Sequence, residues 1–193
     1  HLLVEAFQKL YERPGLPPLK LVAAGYMGKA DRPYLAKLQE RLKDWKLDDK
    51  FEYRGEPDRD EKIRILQSFD VMSVPAVYRE SKGLSILEAL ANGVPVVQPA
   101  HGSYPETIED TGGGLLFEPE NVDDLADKLE RLIRDADHRR ALGERGHTVV
   151  HTRYDDRRMA EQTIALYRRL VEEQAERRAR STGTVVHGDA TLR

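Results

Sequence analysis

The chain has 193 residues, 39% hydrophobic and 34% charged, enough apolar material for one domain core beneath a strongly solvated surface. A net charge of −3 leaves no basic field to attract nucleic acid or an anionic membrane. The absence of cysteine excludes disulfide scaffolds, Cys-ligated zinc and thiol nucleophiles, and no apolar run approaches the ~20 residues of a membrane span.

The opening HLLVEAFQKLYER is helical from its second residue, with Leu3, Ala6, Phe7 and Leu10 on one face. It has no initiator Met, no cap and no preceding strand, and reads as cut from something longer. Residues 19–25 read as a buried strand ending in a turn. Residues 31–47 read as a helix capped by Asp31, with Leu35, Leu38 and Leu42 on one face. A strand at 50–55 precedes a helix at 58–69, where Asp58 and Glu61 form a capping-box pattern. A strand at 70–75, a helix at 83–92 stopped by Asn92-Gly93, and a strand at 94–99 follow. After a loop comes a short strand at 113–119. Three helices then close the chain, at 121–135, about 137–150 and about 155–175. The first of them carries Val122, Leu125, Leu129, Leu132 and Ile133 at helical spacing, and the last an apolar stripe of Met159, Leu166 and Leu170.

This β-α-β-α order argues an α/β fold, a Rossmann-like doubly wound parallel sheet with strands at 19–24, 50–54, 70–74, 94–98 and 114–117 ending at one edge. Residues 1–175 form the domain. Periodicity fades after Arg180, so 176–193 reads as a charged, loose tail.

Ligands bind such sheets beyond the carboxyl ends of the strands, which draws attention to RESKGLSILEALANGVPVVQP at 79–99. Gly83 opens a helix there, so Gly83, Leu84 and Ser85 present amides with no helical acceptor, a setting that favours phosphate. Glu88 stands in an otherwise apolar run, and Glu80 lies on the other side of the helix start. A diphosphate at the helix end would be flanked by two carboxylates able to accept hydroxyl hydrogen bonds, ribose on one side and hexose on the other. The spacing alone equally allows a solvated Glu88 or one neutralised by an arginine.

Other signals have plainer readings. Asp58-Arg59-Asp60 imitates an Asp-x-Asp metal motif but starts a helix, where Asp58 serves as cap. The glycines of GYMG at 25–28 fall short of a dinucleotide fingerprint. His101 reads as a loop hydrogen-bonder; His138, His147 and His151 lack ligand spacing. The arginines of 131–180 are interleaved with Asp and Glu, as on solvated helix faces.

The segment resembles the signature of the group-1 (family-4) retaining glycosyltransferases, Glu-x-Phe-Gly-x4-Glu-Ala-x-Ala-x-Gly-x-Pro-Val. It stands here as Glu80, Ser81, Lys82 and Gly83, then Glu88-Ala89-Leu90-Ala91-Asn92-Gly93-Val94-Pro95-Val96. The family's Gly-x-x-Pro-Glu element stands as Gly102-Ser103-Tyr104-Pro105-Glu106, and its Gly-Leu-Leu-Phe-x-Pro strand at 114–119. The resemblance runs from residue 1 to about 172.

It implies the second, donor-binding domain of a GT-B enzyme. The acceptor domain, the strand before the first helix and the Arg and Lys that grip the donor diphosphate would lie upstream. By position, Glu88 would bind ribose and Glu80 would face the donor sugar as the catalytic candidate. Gly83, Leu84 and Ser85 would meet the diphosphate, Arg54 and Gly55 the nucleobase, with Val74 and Pro75 lining the same side. Lys82 replaces the family's usual aromatic and would either bring charge to the phosphates or be solvated.

The implied function is transfer of a hexose from a nucleoside diphosphate sugar to an acceptor hydroxyl with retention, without metal or cofactor and without nucleic acid. The acceptor would be a glycan, a lipid or a small molecule. The intact enzyme would be cytoplasmic or peripheral to a membrane, and the isolated chain inactive. A non-catalytic nucleotide-sugar-binding or assembly module, and a sugar-nucleotide epimerase-like domain, are the alternatives.

Overall fold

The computed structural model describes residues 1–182. The chain divides into two units, the first covering 1–152 and the second the residues from Arg153 onward. The first unit begins with α1 (Leu2–Glu12), β1 (Leu21–Ala23), α2 (Arg32–Asp44), a 3-10 turn (Asp48–Lys50), β2 (Phe51–Tyr53) and α3 (Arg59–Gln67). It continues with α4 (Leu84–Ala91), β3 (Val96–Pro99), α5 (Tyr104–Thr111), β4 (Gly114–Phe117), α6 (Val122–Arg134) and α7 (Ala136–Arg153).

Every strand pairing is parallel. β1 pairs with β2 from Leu21–Phe51 to Ala23–Tyr53, and β3 with β4 from Val96–Gly114 to Pro99–Phe117. The expected strand at 70–74 shortens to one parallel bridge, Met72 to Val96. Its backbone is engaged on the β3 side only, where Met72 N donates to Pro95 O and Val97 N donates to Met72 O.

Helices cover both faces, as alternating strand residues require. On one face Val97 and Phe117 join Leu2, Ala6 and Leu10 of α1 and Leu125, Leu129 and Leu132 of α6. On the other, Val96 packs with Leu66 of α3, Ile86, Ala89 and Leu90 of α4, and Tyr104 and Ile108 of α5. Each fully buried side chain of this kind contributes about 1.5–3 kcal/mol. A third cluster joins Val4 and Phe7 of α1 to Leu42 and Leu47 beside β1 and β2. Arg13 fastens α1 to α6 through ion pairs with Asp127 and Glu130.

Local signals behave unevenly. Asp58 caps α3 by accepting from Glu61 N at 2.8 Å, which accounts for the Asp-x-Asp pattern. Asp31 occupies the N-cap of α2 in a helical conformation and makes no side-chain cap bond; Pro33 within the first turn sets the start instead. The loop expected after β3 contains α5. Its buried face includes Thr107 and Thr111 beside Tyr104 and Ile108, so apolar periodicity does not announce it. Both threonine hydroxyls donate to the carbonyl four residues back.

In the second unit α8 spans Asp156–Thr182, past residue 176 where the sequence suggests a loose tail. Residues 183–193 lie outside the described residues. Met159, Leu166 and Leu170 of α8 are exposed. Among the described residues no helix is long and apolar enough to cross a membrane.

Candidate functional site at the carboxyl edge of the sheet

Two loops meet beyond the carboxyl end of β3. Glu80 Oε1 accepts from Ser81 N at 2.8 Å and from Lys82 N at 3.1 Å. The amide of Lys82, with those of Gly83 and Ser81, holds the Glu80 carboxyl below its ordinary range. The carboxylate is therefore ionised near neutral pH and acts as an acceptor, not an acid. Glu80 O in turn accepts from Ser103 N at 2.9 Å.

The second loop fits against the first because Gly102 has no side chain. At φ +61°, a Cβ there would lie 2.6 Å from Glu80 O. Tyr104 follows, 1% exposed, its ring against Gly83. Burial, reinforced by the Glu80 charge, pushes its hydroxyl up to about 12.

Gly83 adopts φ +62° as the N-cap of α4 and offers no side-chain cap. Its amide is drawn to Glu80, so of the three amides expected to meet phosphate only those of Leu84 and Ser85 remain at the helix end. Leu84 is 64% exposed and Ser85 half-buried. Lys82 is exposed, and among the described residues its ammonium has no acidic partner within ion-pair distance.

Glu88 is not sunk in the core. Only Ile86, Ala89 and Leu90 of α4 are buried, and Glu88 lies on the opposite, half-exposed side. There its Oε1 accepts from Lys62 Nζ at 2.6 Å. Lys62 stands in the amino-terminal half of α3, the helix that follows β2 and the Arg54–Gly55 turn in the chain. The Arg54 guanidinium is held by Glu52, Nε to Oε1 at 2.7 Å, and Gly55 O accepts from Gly25 N at 2.7 Å. What Arg54 and Gly55 offer outward is chiefly their turn. Val74 N donates to Gln98 Oε1 at 3.2 Å, and Val74 and Pro75 are half-buried.

Two participants escape the sequence reading. Lys62 is 26 residues from Glu88, and nothing local marks the pair. Gln98 is fully buried; a polar residue inside a run of strand apolars was the available signal. Its Nε2, both ring nitrogens of His101 and Ser103 Oγ are buried without protein partners, so His101 is not the loop hydrogen-bonder expected. Among the described residues no three His, Cys, Asp or Glu side chains cluster as metal ligands.

Parallel strands, helices on both faces and a receptive helix end at the carboxyl edge define a Rossmann-like ligand-binding domain, with the α/β fold of GT-B glycosyltransferase structures. The family described as Glycosyl transferases group 1 matches residues 1–149, and the chain belongs to it.

The chain is 32% identical over 173 residues to D-inositol 3-phosphate glycosyltransferase of Corynebacterium urealyticum, covering 88% of this chain and 40% of that protein. It is 30% identical over 154 residues to the GDP-mannose-dependent alpha-(1-6)-phosphatidylinositol monomannoside mannosyltransferase of Mycobacterium tuberculosis, covering 77% and 38%. Among solved structures, the C-terminal domain of the group 1 glycosyl transferase LpcC of Francisella tularensis superposes with a TM-score of 0.71 at 28% identity. That match covers 80% of this chain and 78% of that one. The chain thus spans about two fifths of the curated relatives' length.

Proposed function

We propose that this chain is the donor-binding half of a retaining glycosyltransferase that moves a hexose from a nucleoside diphosphate sugar to an acceptor hydroxyl. The observation that carries the reading is the disposition of Glu80 and Glu88 about the amino end of α4, with the Leu84 and Ser85 amides between them. Glu88 accepts the ribose hydroxyls, and the two amides meet the diphosphate. Gly83 shapes the turn, and Lys82 adds positive charge at its rim. The Arg54–Gly55 turn, with Val74 and Pro75, receives the base.

Glu80 faces the sugar. Held ionised by its own loop, it accepts sugar hydroxyls and favours positive charge developing at the anomeric carbon. There the bond to the diphosphate oxygen breaks, and the acceptor oxygen bonds to that carbon as its proton passes to the departing diphosphate. The electron pair leaves with the diphosphate, which the dipole of α4 stabilises. No metal or cofactor enters this scheme. The GDP-mannose dependence in one relative's name supports a nucleotide-sugar donor. The inositol-based names of the relatives support a hydroxylated small molecule or lipid as acceptor.

Titration with UDP, GDP and ADP tests the reading. Millimolar to high-micromolar binding, with shifts at Leu84, Ser85 and Glu88, is expected, since one exposed helix end contributes only about 0.3–1 kcal/mol. The chain alone should transfer no sugar, because the acceptor must be held against the donor, a contribution that reaches roughly 7–11 kcal/mol. Failure to bind any nucleoside diphosphate would favour a non-catalytic assembly module.

A further inference from the structure

His147 and His151, which drew no attention as ligands in the sequence, are brought together by α7. Their separation is about one helical turn, and the two imidazoles lie with centroids 4.4 Å apart, their planes tilted by 54°. Both residues are exposed. The helix beneath them is firmly seated, because Gly143 and Gly146 bring its backbone close to the end of α4. A Cβ at Gly143 would strike Gly93 O, and one at Gly146 would lie 2.6 Å from Leu90 Cδ2. The histidines therefore ride on a fixed support.

One hydrogen bond settles the tautomer of His151. Its Nε2 lies 3.0 Å from Ala91 O, and a carbonyl oxygen only accepts. Nε2 therefore carries the hydrogen, and in the neutral ring Nδ1 keeps its lone pair. Ala91 is the last residue of α4, where carbonyls lack a helical donor. An imidazole whose far nitrogen donates to a backbone carbonyl is oriented as metal-binding histidines are. Among the described residues the His147 ring meets His151 and engages in no hydrogen bond. Its own lone pair is thus available beside that of His151.

We propose that His147 and His151 form a two-imidazole site for a divalent transition ion of the zinc, nickel and copper class, with His151 bound through Nδ1. Imidazole suits these ions, whereas magnesium and calcium take oxygen ligands. Among the described residues no three His, Cys, Asp or Glu side chains cluster as ligands, so water completes the coordination on the exposed flank. The bound ion draws charge from the His151 ring, and its Nε2–H then donates more strongly to Ala91 O. Binding therefore fastens α7 to the carboxyl end of α4. This inference does not depend on the proposed function.

The test is calorimetric titration of zinc, near neutral pH in a non-chelating buffer, into the chain and into His147→Ala, His151→Ala and the double variant. Nitrogen NMR spectra of the histidine rings are followed alongside. Losing a ligand should cost at least what losing an outer partner of a ligand does, so each single substitution should weaken zinc binding tenfold or more. The double variant should lose no further equivalent, and magnesium should not compete. In the unsubstituted chain zinc should shift His151 Nδ1 while Nε2 keeps its hydrogen, and the Ala91 carbonyl signal should move with it. His147→Ala is the cleaner variant, since that ring holds no hydrogen bond whose loss could disturb the fold; an unchanged urea midpoint confirms this. Zinc affinity unchanged in His147→Ala overturns the proposal. Absence of zinc binding at millimolar concentration, or binding that moves neither ring's signals, does so too.

Discussion

Lys62 Nζ stands 2.6 Å from Glu88 Oε1, joining the amino-terminal half of α3 to the second turn of α4. Both side chains are more than two fifths exposed, so the pair contributes little to stability, about 0.2–1 kcal/mol for ion pairs of this kind. Its consequence is orientation, holding the carboxylate against α3. Glu88→Gln should therefore leave the denaturation midpoint nearly unchanged while weakening nucleoside diphosphate binding by about 1–3 kcal/mol. Lys62→Met should have a smaller effect on binding. Calorimetric titration beside urea unfolding separates the two readouts. A large loss of stability with unchanged binding would remove Glu88 from the ribose role.

Asp58→Ala should destabilise the first unit by about 1 kcal/mol, the usual cost of losing an N-cap acceptor. Urea unfolding followed by circular dichroism measures it. Nucleotide titration should be little altered, and no metal dependence should appear.

Gly102→Ala places a methyl where Glu80 O stands only 2.6 Å away, in a left-handed backbone conformation besides. The conformational cost alone is roughly 1–2 kcal/mol, and the backbone contact adds to it. Because the 101–104 loop is keyed to Glu80, amide chemical shifts of Ser81 and Lys82 should move together with the loss of stability. Shifts confined to residues 100–104 would show that the two loops are not coupled.

Stability should also fall at high pH. The Tyr104 hydroxyl sits at about 12 in the fold against an ordinary 10.0. The folded chain therefore keeps a proton that the unfolded chain releases. The stabilisation is fully present below pH 10 and is lost as pH rises toward 12, on the order of 2 kcal/mol in all. Tyr104→Phe should flatten the unfolding free energy across that window. For Glu80 the sign is opposite: its folded value lies below the ordinary 4.5, so its contribution is intact above that pH and fades as the solution is made more acidic.

The parallel α/β order was legible because each helix start or strand run carried its own signal, such as Asp58 before α3 or Asn92-Gly93 after α4. What escaped had no local signature. Helix α5 hides behind Thr107 and Thr111, which satisfy themselves within the helix and break the apolar rhythm. Residues 70–74 have strand-like composition, but pairing depends on neighbours, and only the β3 side supplies one. At the site, Glu80, Gly83 and Glu88 stood out from spacing and type. That Lys62 would hold Glu88, and that Glu80 would claim the Gly83 amide, are facts of tertiary approach and loop geometry that no spacing encodes.

The carboxylate of Glu80 rests on the amides of Lys82, Gly83 and Ser81, and so the loop carries a tethered anion of its own. Free phosphate or sulfate seeking those amides must displace a group whose effective concentration no buffer can match. On the proposed reading, simple anions would be turned away from the loop and left with the Leu84 and Ser85 amides. On the same reading, a ligand would gain from this site by bringing hydroxyls for Glu80 and Glu88 together with its negative charge. The loop would, on that reading, screen for molecules that are phosphate and sugar at once.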